Sequence, residues 1–372
     1  MLATRHTILR AVVLIAATLA LTTATARTQD TTGDPFVWTF SELAPGVWAG
    51  VREDMGRTPV MGSTLFVIGD EGVVVFDGGG AALMSERLIA KIRELTELPV
   101  THVVISHWHG DHNFGVHRFR DEFPGVQFVA HRFTRAAMTG PRMDYLADQA
   151  QQVPRLRAGY APLLESGRNG RGDEVPEFKL ARMRQFLADA ELIHAENQRL
   201  AVTLPTLSFD DSLTIHSGAR RIELLFLGDG NTAGDLVLWL PEERIVATGD
   251  LVVHPTPYGF NVPPARWAQS LRRLQALDYR VLVPGHGEIQ RDMSYVGLLI
   301  EVCDAIVAQR ESLLAEGVTL EELPARLDLS AFVTRFTHGD PDLTDTLRIW
   351  FMRPIRAAAS KELEPGPMVE VR

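Results

Sequence analysis

The chain has 372 residues, 45% of them hydrophobic and 23% charged, ordinary globular usage that excludes a disordered or collagen-like polymer. With 37 Lys and Arg against 47 Asp and Glu the net charge is −10, so no overall positive field exists to hold nucleic acid. The single cysteine, Cys303, excludes an intramolecular disulfide, a Cys-cluster zinc site and a CxxC redox centre; any metal must be held by histidines and carboxylates.

Met1–Ala26 reads as an export signal. Arg5 and Arg10 precede an apolar run over 11–21, and Ala24-Thr25-Ala26 is a small-x-small cleavage site. The run is shorter than the roughly 20 apolar residues that a spanning helix needs. The expectation is cleavage after Ala26, a secreted or periplasmic protein, and no stable membrane insertion afterwards. The residue directly after the cleavage site is Arg27, not a cysteine that would carry a lipid.

Strands are expected over Gly46–Arg52, Ser63–Ile68 and Gly72–Phe76, the last two closed into a hairpin by Gly69-Asp70-Glu71-Gly72. Leu88, Ile89, Ile92 and Leu95 share one face of a helix over Ala82–Leu95. Val100–Ser106 is a β-branched apolar run suited to a buried strand, and Val126–Ala130 is another. From Phe133 to Leu200 helical stretches dominate, broken by a Gly-rich loop at Ser166–Asp173, with Leu180, Met183, Leu187 and Ala190 as a packing face. Strands resume at Ser212–His216, Ile222–Leu227, Leu236–Leu240 and Ile245–Thr248. An amphipathic helix at Trp267–Leu277 and a strand at Val281–Val283 follow. From Tyr295 onward the pattern is helical, with a capping box at Thr319-Leu320-Glu321-Glu322. This order predicts two sheets with helices on their outer faces, a layered α/β sandwich. Its expected division is a main domain over 27–294, a helical insertion at about 133–200 within it, and a helical extension over 295–372.

His107-Trp108-His109-Gly110-Asp111-His112 directly follows the buried strand. Three imidazoles and a carboxylate converging at a strand end need a cation to favour that arrangement. His107 and His109, two apart, leave the same side of an extended segment. Other chemistries lack their residues. Gly228–Asp235 has no Lys-Ser/Thr to make a phosphate-binding loop. Neither a Gly-x-Ser-x-Gly elbow nor a Ser-x-x-Lys pair is present to supply a serine nucleophile.

The HxHxDH pattern after such a strand resembles the metallo-β-lactamase superfamily of metal hydrolases, and the resemblance covers about Trp38 to Glu288. Asp77, ending Val73-Val74-Val75-Phe76-Asp77-Gly78-Gly79, resembles the aspartate that supports the metal loop. Asp250 in Ala247-Thr248-Gly249-Asp250 resembles the carboxylate bridging two metals, and His286 in Val283-Pro284-Gly285-His286-Gly287 the last ligand. The resemblance implies a four-layer αββα sandwich and two zinc ions, with iron or manganese as substitutes. His107, His109 and Asp250 would serve the first ion, and Asp111, His112, Asp250 and His286 the second. One landmark departs: in Gly228-Asp229-Gly230-Asn231-Thr232-Ala233-Gly234-Asp235 the family's histidine is replaced by Asn231. A neutral amide oxygen is a poorer donor than imidazole, so the first site is expected to be the weaker, with Asn231 a weak ligand or an oxyanion contact. His254 and His117 could compensate only from nearby in sequence, and both read as surface or core-edge histidines.

The implied activity is attack by a metal-bound hydroxide on a small ester, lactone, lactam or thioester, with Asp111 as the catalytic residue that holds the hydroxide and shuttles its proton. Aspartate at the position of Asp250 is more like lactonases and thioesterases than β-lactamases, which usually carry Cys or Ser there. A phosphodiesterase is disfavoured by the acidic chain. One rival is a persulfide-oxidising iron enzyme of the same superfamily, against which Asn231 counts. The other is a non-catalytic metal-binding scaffold, against which retention of the ligands counts. The substrate is a small molecule whose pocket walls are expected at Glu53–Met61 and Val253–Phe260, with the insertion as a lid and Trp108 packed inward. Nothing in the sequence sets an oligomeric state.

Overall fold

The computed structural model describes residues 34–52, 57–260 and 262–361. The expected export signal and residues 53–56 of the first pocket wall lie outside the described residues. The described residues belong to one compact unit. Among its described residues no helix is long and apolar enough to cross a membrane.

Seven strands form the first sheet in chain order: β1 (Thr39–Ala44), β2 (Val47–Val51), β3 (Thr64–Ile68), β4 (Val73–Phe76), β5 (Val100–Val104), β6 (Gln127–His131) and β7 (Leu207–Phe209). Strands β1 to β4 pair antiparallel and β4 to β7 parallel. The second sheet holds β8 (Ser212–Ser217), β9 (Arg220–Phe226), β10 (Leu236–Leu240), β11 (Ile245–Ala247) and β12 (Val281–Val283), in the order β12-β11-β10-β9-β8. There only β11 and β12 run parallel. The expected hairpin is β3–β4, closed by Gly69 N–H to the Gly72 carbonyl at 3.0 Å. Strands β1 and β7 were not foreseen. They edge the first sheet at either end, and their TFSELA and LSF sequences carry too little apolar alternation to mark a strand.

The period-two alternation of a strand sorts its side chains into layers. Val47, Ala49, Leu65, Val67, Val74 and Phe76 meet Leu224, Leu236 and Leu238 of the other sheet in the central core. Their neighbours Phe66, Val73 and Val75 face outward onto Leu88 and Ile92 of the helix Ala82–Leu95. On the far side Val237, Trp239 and Val246 pack against Trp267 and Leu271 of the helix Pro264–Gln275 and Leu299 and Val302 of Ser294–Ala315. The layers are therefore helix, sheet, sheet, helix. Each such aliphatic or aromatic side chain contributes about 1.5–3 kcal/mol by burial.

The segment after β6 forms the helices Arg132–Met138, Leu146–Gln149, Gln152–Ser166 and Glu177–Asn197. Phe186, Ala190 and Ile193 of the last one enter the outer core of the first sheet, while Gln152–Ser166 buries only Val153. At the C-terminal end the expected capping box forms, with Thr319 Oγ1 donating to Glu322 Oε2 at 2.8 Å and Glu322 N–H to Thr319 Oγ1 at 3.3 Å. Short helices then lead to a π-helical turn at Arg348–Met352 and the helix Arg353–Lys361.

Candidate metal centre

The carboxyl ends of the strands meet at one place. Asp77 follows β4, the His107–His112 run follows β5, Asn231 lies between β9 and β10, Asp250 follows β11, and His286 follows β12. The two sheets are tied together there by the Leu236 N–H, which donates to the Ser106 carbonyl at 2.9 Å.

Asp77 is 1% exposed and sits at φ 57°, a left-handed conformation that Asp tolerates better than most residues. Its Oδ1 accepts the Ser106 N–H at 2.8 Å; its Oδ2 accepts the Ser106 hydroxyl at 2.7 Å and His112 Nδ1–H at 2.8 Å. Because the single proton of Ser106 goes to Asp77, its oxygen accepts from His107 Nδ1 at 2.9 Å. His107 and His112 thus both carry their proton on Nδ1 and present a bare Nε2 to the site.

His107 Nε2 lies 2.9 Å from His109 Nδ1 and 3.5 Å from Asp250 Oδ2. His112 Nε2 lies 3.2 Å from both His286 Nε2 and Asp250 Oδ1, and 3.5 Å from Asp111 Oδ2. His286 Nε2 is 3.1 Å from Asp111 Oδ2 and 3.3 Å from Asp250 Oδ1. Two donor groups result, His107–His109–Asp250 and Asp111–His112–His286, each with its ligand atoms within 4.8 Å of one another. Neither His254 nor His117 joins them: His254 packs edge-on to Tyr295 at 4.8 Å, and His117 Nδ1 meets the Phe114 carbonyl at 3.2 Å.

Electrostatics strain this cluster. Burial lowers the histidines, yet Asp250 raises His107, Asp111 and Asp250 raise His112 well above its ordinary value, and Asp250 and Asp111 raise His286. Burial and the neighbouring His107 push His109 down to about 3. Against its own burial, Asp250 is held well below the usual carboxylate range by His286, His112 and His107. Imidazole nitrogens face one another at 2.9 and 3.2 Å, and Asp250 Oδ1 is buried without a hydrogen-bond partner. A divalent cation in each group satisfies both conditions, and nitrogen with carboxylate oxygen suits zinc, iron or manganese.

Close approach of backbone makes room for these side chains. A Cβ on Gly285 would lie 2.2 Å from Asp250 Oδ1, and one on Gly62 would lie 2.4 Å from the His112 ring, so only glycine fits either position. Asn231, 5% exposed, places Nδ2 3.1 Å from Asp250 Oδ2 and 3.4 Å from His109 Nδ1. The reversed amide would set oxygen against the carboxylate oxygen. In this geometry Asn231 Nδ2 donates to Asp250 Oδ2, while its Oδ1 is buried without a hydrogen-bond partner.

A cavity of about 1280 Å³ opens above His109, Asp111, Asn231 and Asp250. Thr58–Met61, Tyr258 and Phe260 line it from the two expected walls, and helices of the insertion form a third. Trp108 packs inward against the outer core of the first sheet, as expected, and also lines the cavity. It is half-buried and faces the cavity, its ring 4.4 Å from His109 with the Arg142 guanidinium 5.7 Å above it. Two further contributors had no signal in the sequence. The Tyr145 hydroxyl accepts the Gly110 N–H at 3.2 Å, and burial with Asp111 nearby keeps that phenol protonated. Trp350 reaches the cavity from the C-terminal helices, more than sixty residues past the last motif.

The sequence profile of the metallo-beta-lactamase superfamily matches residues 57–286, and the chain belongs to that superfamily. A linear primary-alkylsulfatase from a Pseudomonas strain is 22% identical over 297 residues, covering 72% of this chain and 50% of that protein. A type 2 metallo-beta-lactamase from Bacteroides fragilis is 32% identical over 92 residues, covering 23% of this chain and 36% of its own length. The chain thus spans half or less of the curated relatives it matches. The solved metallo-beta-lactamase from Pontibacter korlensis is 21% identical, covers 72% of this chain and 99% of its own, and has a TM-score of 0.49.

Replacing Asp77 by Ala leaves the Ser106 and His112 donors without an acceptor. Metal affinity is expected to fall about 10–100-fold, as for other outer partners of metal-bound histidines, measured by chelator competition. An unchanged affinity in a folded Asp77→Ala protein would contradict this role.

Proposed function

We propose that the protein is a metal-dependent hydrolase of a small ester, lactone, lactam or thioester. The observation carrying this reading is the convergence of the two donor groups, with Asp250 Oδ1 buried and unpartnered, on the floor of a largely apolar cavity. His107, His109 and Asp250 would hold one cation; Asp111, His112 and His286 a second, sharing Asp250. Zinc suits the set best, with iron or manganese as substitutes. When bound, such a cation supplies Lewis acidity and brings the pKa of a coordinated water toward neutrality.

The chain's own residues do the rest. Asp111, with 27% of its side chain exposed, faces the cavity and can orient an attacking water and take its proton. Asn231 holds Asp250 Oδ2 by donation, and the cavity it lines would bring a developing oxyanion beside its amide. Trp108, Tyr258 and Phe260 exclude bulk water around the reacting bond, which strengthens these interactions. The names of the relatives add a sulfate ester and a β-lactam to the substrate panel.

Asp250→Ala and His286→Ala are each expected to lower turnover by at least ~100-fold and to reduce bound metal, since a direct ligand outweighs an outer partner. Wild-type turnover and metal loading in either variant would refute the assignment. Metal titration of the wild type is expected to give two unequal affinities, the weaker at the His107 group, and Asn231→His to narrow the gap by adding an imidazole donor. Two equal, tight sites in the wild type would overturn this account of Asn231.

We also infer that the chain is exported, working in the periplasm or outside the cell. Mass spectrometry of the protein from its native host is expected to find a mature terminus following Ala26. An intact Met1 or Leu2 terminus contradicts export by this signal.

A further inference from the structure

We infer that the substrate of this site carries a long linear acyl or alkyl chain, seated in a trough made by the helical insertion. This rests on the hydrolytic reading above and extends it to a substrate class. The cavity, at about 1280 Å³, exceeds the roughly 300–1,000 Å³ of ordinary small-molecule pockets, and a small ester would leave most of it empty.

The lining gives the excess a direction. Tyr145, bonded to the Gly110 N–H, anchors the near end of the insertion beside Asp111. Farther along, Gln152, Leu156 and Tyr160 line the cavity at positions i, i+4 and i+8 of the helix Gln152–Ser166. Residues so spaced share one face, so the lining follows the helix axis for about 12 Å. Phe133 and Ala137, at i and i+4 of the helix Arg132–Met138, supply a second helical face. Two helix faces bound an elongated trough better suited to a chain than to a compact ring system.

Its chemistry is apolar. Leu156 and Tyr160 are only half-buried, although Tyr160 is backed by Phe186 at 5.7 Å. The amides in the trough engage one another: Asn197 Nδ2 donates to Gln152 Oε1 at 3.2 Å and to the Gln149 carbonyl at 3.0 Å. Among the described lining residues the only carboxylates are Asp111 and Asp250, both at the metal end. A linear chain running from the reacting bond would cover Leu156 and Tyr160, and the one Lys or Arg among the described lining residues, Arg142, lies over the Trp108 ring rather than on the helix Gln152–Ser166.

Two measurements test this separately from hydrolysis. In the first, the metal-loaded protein is titrated with the non-hydrolysable 1-butanol, 1-octanol and 1-dodecanol, following the fluorescence of its tryptophans. Affinity is expected to rise up to about fourfold per methylene until the trough is filled. In the second, the metal-loaded protein is given p-nitrophenyl acetate, butyrate, octanoate and dodecanoate, and kcat/KM is expected to climb in the same way. Leu156→Gln, which keeps the volume but adds a polar group, is expected to cut dodecanol affinity at least about tenfold, and Leu156→Trp to shorten the best chain. Affinity and kcat/KM independent of chain length would overturn the proposal even if the acetate is hydrolysed. So would wild-type dodecanol binding in both Leu156 variants. Chain-length-dependent binding with no hydrolysis of any ester would instead overturn the hydrolytic reading and leave the trough standing.

Discussion

The buried carboxylate of Asp77 holds the geometry on which the site depends. It accepts two hydrogen bonds from Ser106 and one from His112, and through Ser106 it also sets the tautomer of His107. Burying a carboxylate is costly unless its lone pairs are filled. Here three donors fill them, and hydrogen bonds to an ionised acceptor are stronger than neutral ones. The same interactions that stabilise the buried charge orient two imidazoles with their bare nitrogens toward the other donors of the candidate metal centre. Folding and ligand orientation are therefore one event at this position.

The remaining donors come from the other sheet, and their meeting is not self-stabilising. Asp250 and His286 approach Asp111 and His112 closely because Gly285 and Gly62 leave room for them. Without a cation the cluster carries facing imidazole nitrogens and an unpartnered carboxylate oxygen. Metal affinity in such a site is coupled to folding, since the ligands are assembled only in the native state. The orientation of Asn231 fits this picture: an imidazole there would add a donor to the first group, whereas the amide restrains Asp250.

The sandwich supplies the ligands, and the added helices supply the walls. The helix Glu177–Asn197 is held on two sides by ion pairs, Asp189 with Arg57 at 2.7 Å and Lys179 with Asp345 at 2.6 Å. The first pair is only 10% and 12% exposed, so it is less screened than a surface pair. These contacts join the insertion to the first pocket wall and to the C-terminal helices, the three parts that surround the cavity mouth.

Local patterns in the sequence were enough to determine the HxHxDH run at a strand end, the β3–β4 hairpin, the alternation of the core strands, the helical character of 133–200 and the capping box at Thr319. Each depends on residues within a few positions of one another, where periodicity and turn chemistry act directly. The edge strands β1 and β7 were decided only by the strands they pair with. The cavity face of Trp108, the Tyr145 bond to the metal loop and the arrival of Trp350 likewise came from packing between distant segments. For Asn231 the sequence showed the absence of an imidazole, but the direction of the amide was set by a carboxylate nineteen residues away, because a hydrogen bond can choose an orientation only after the fold brings its partners together.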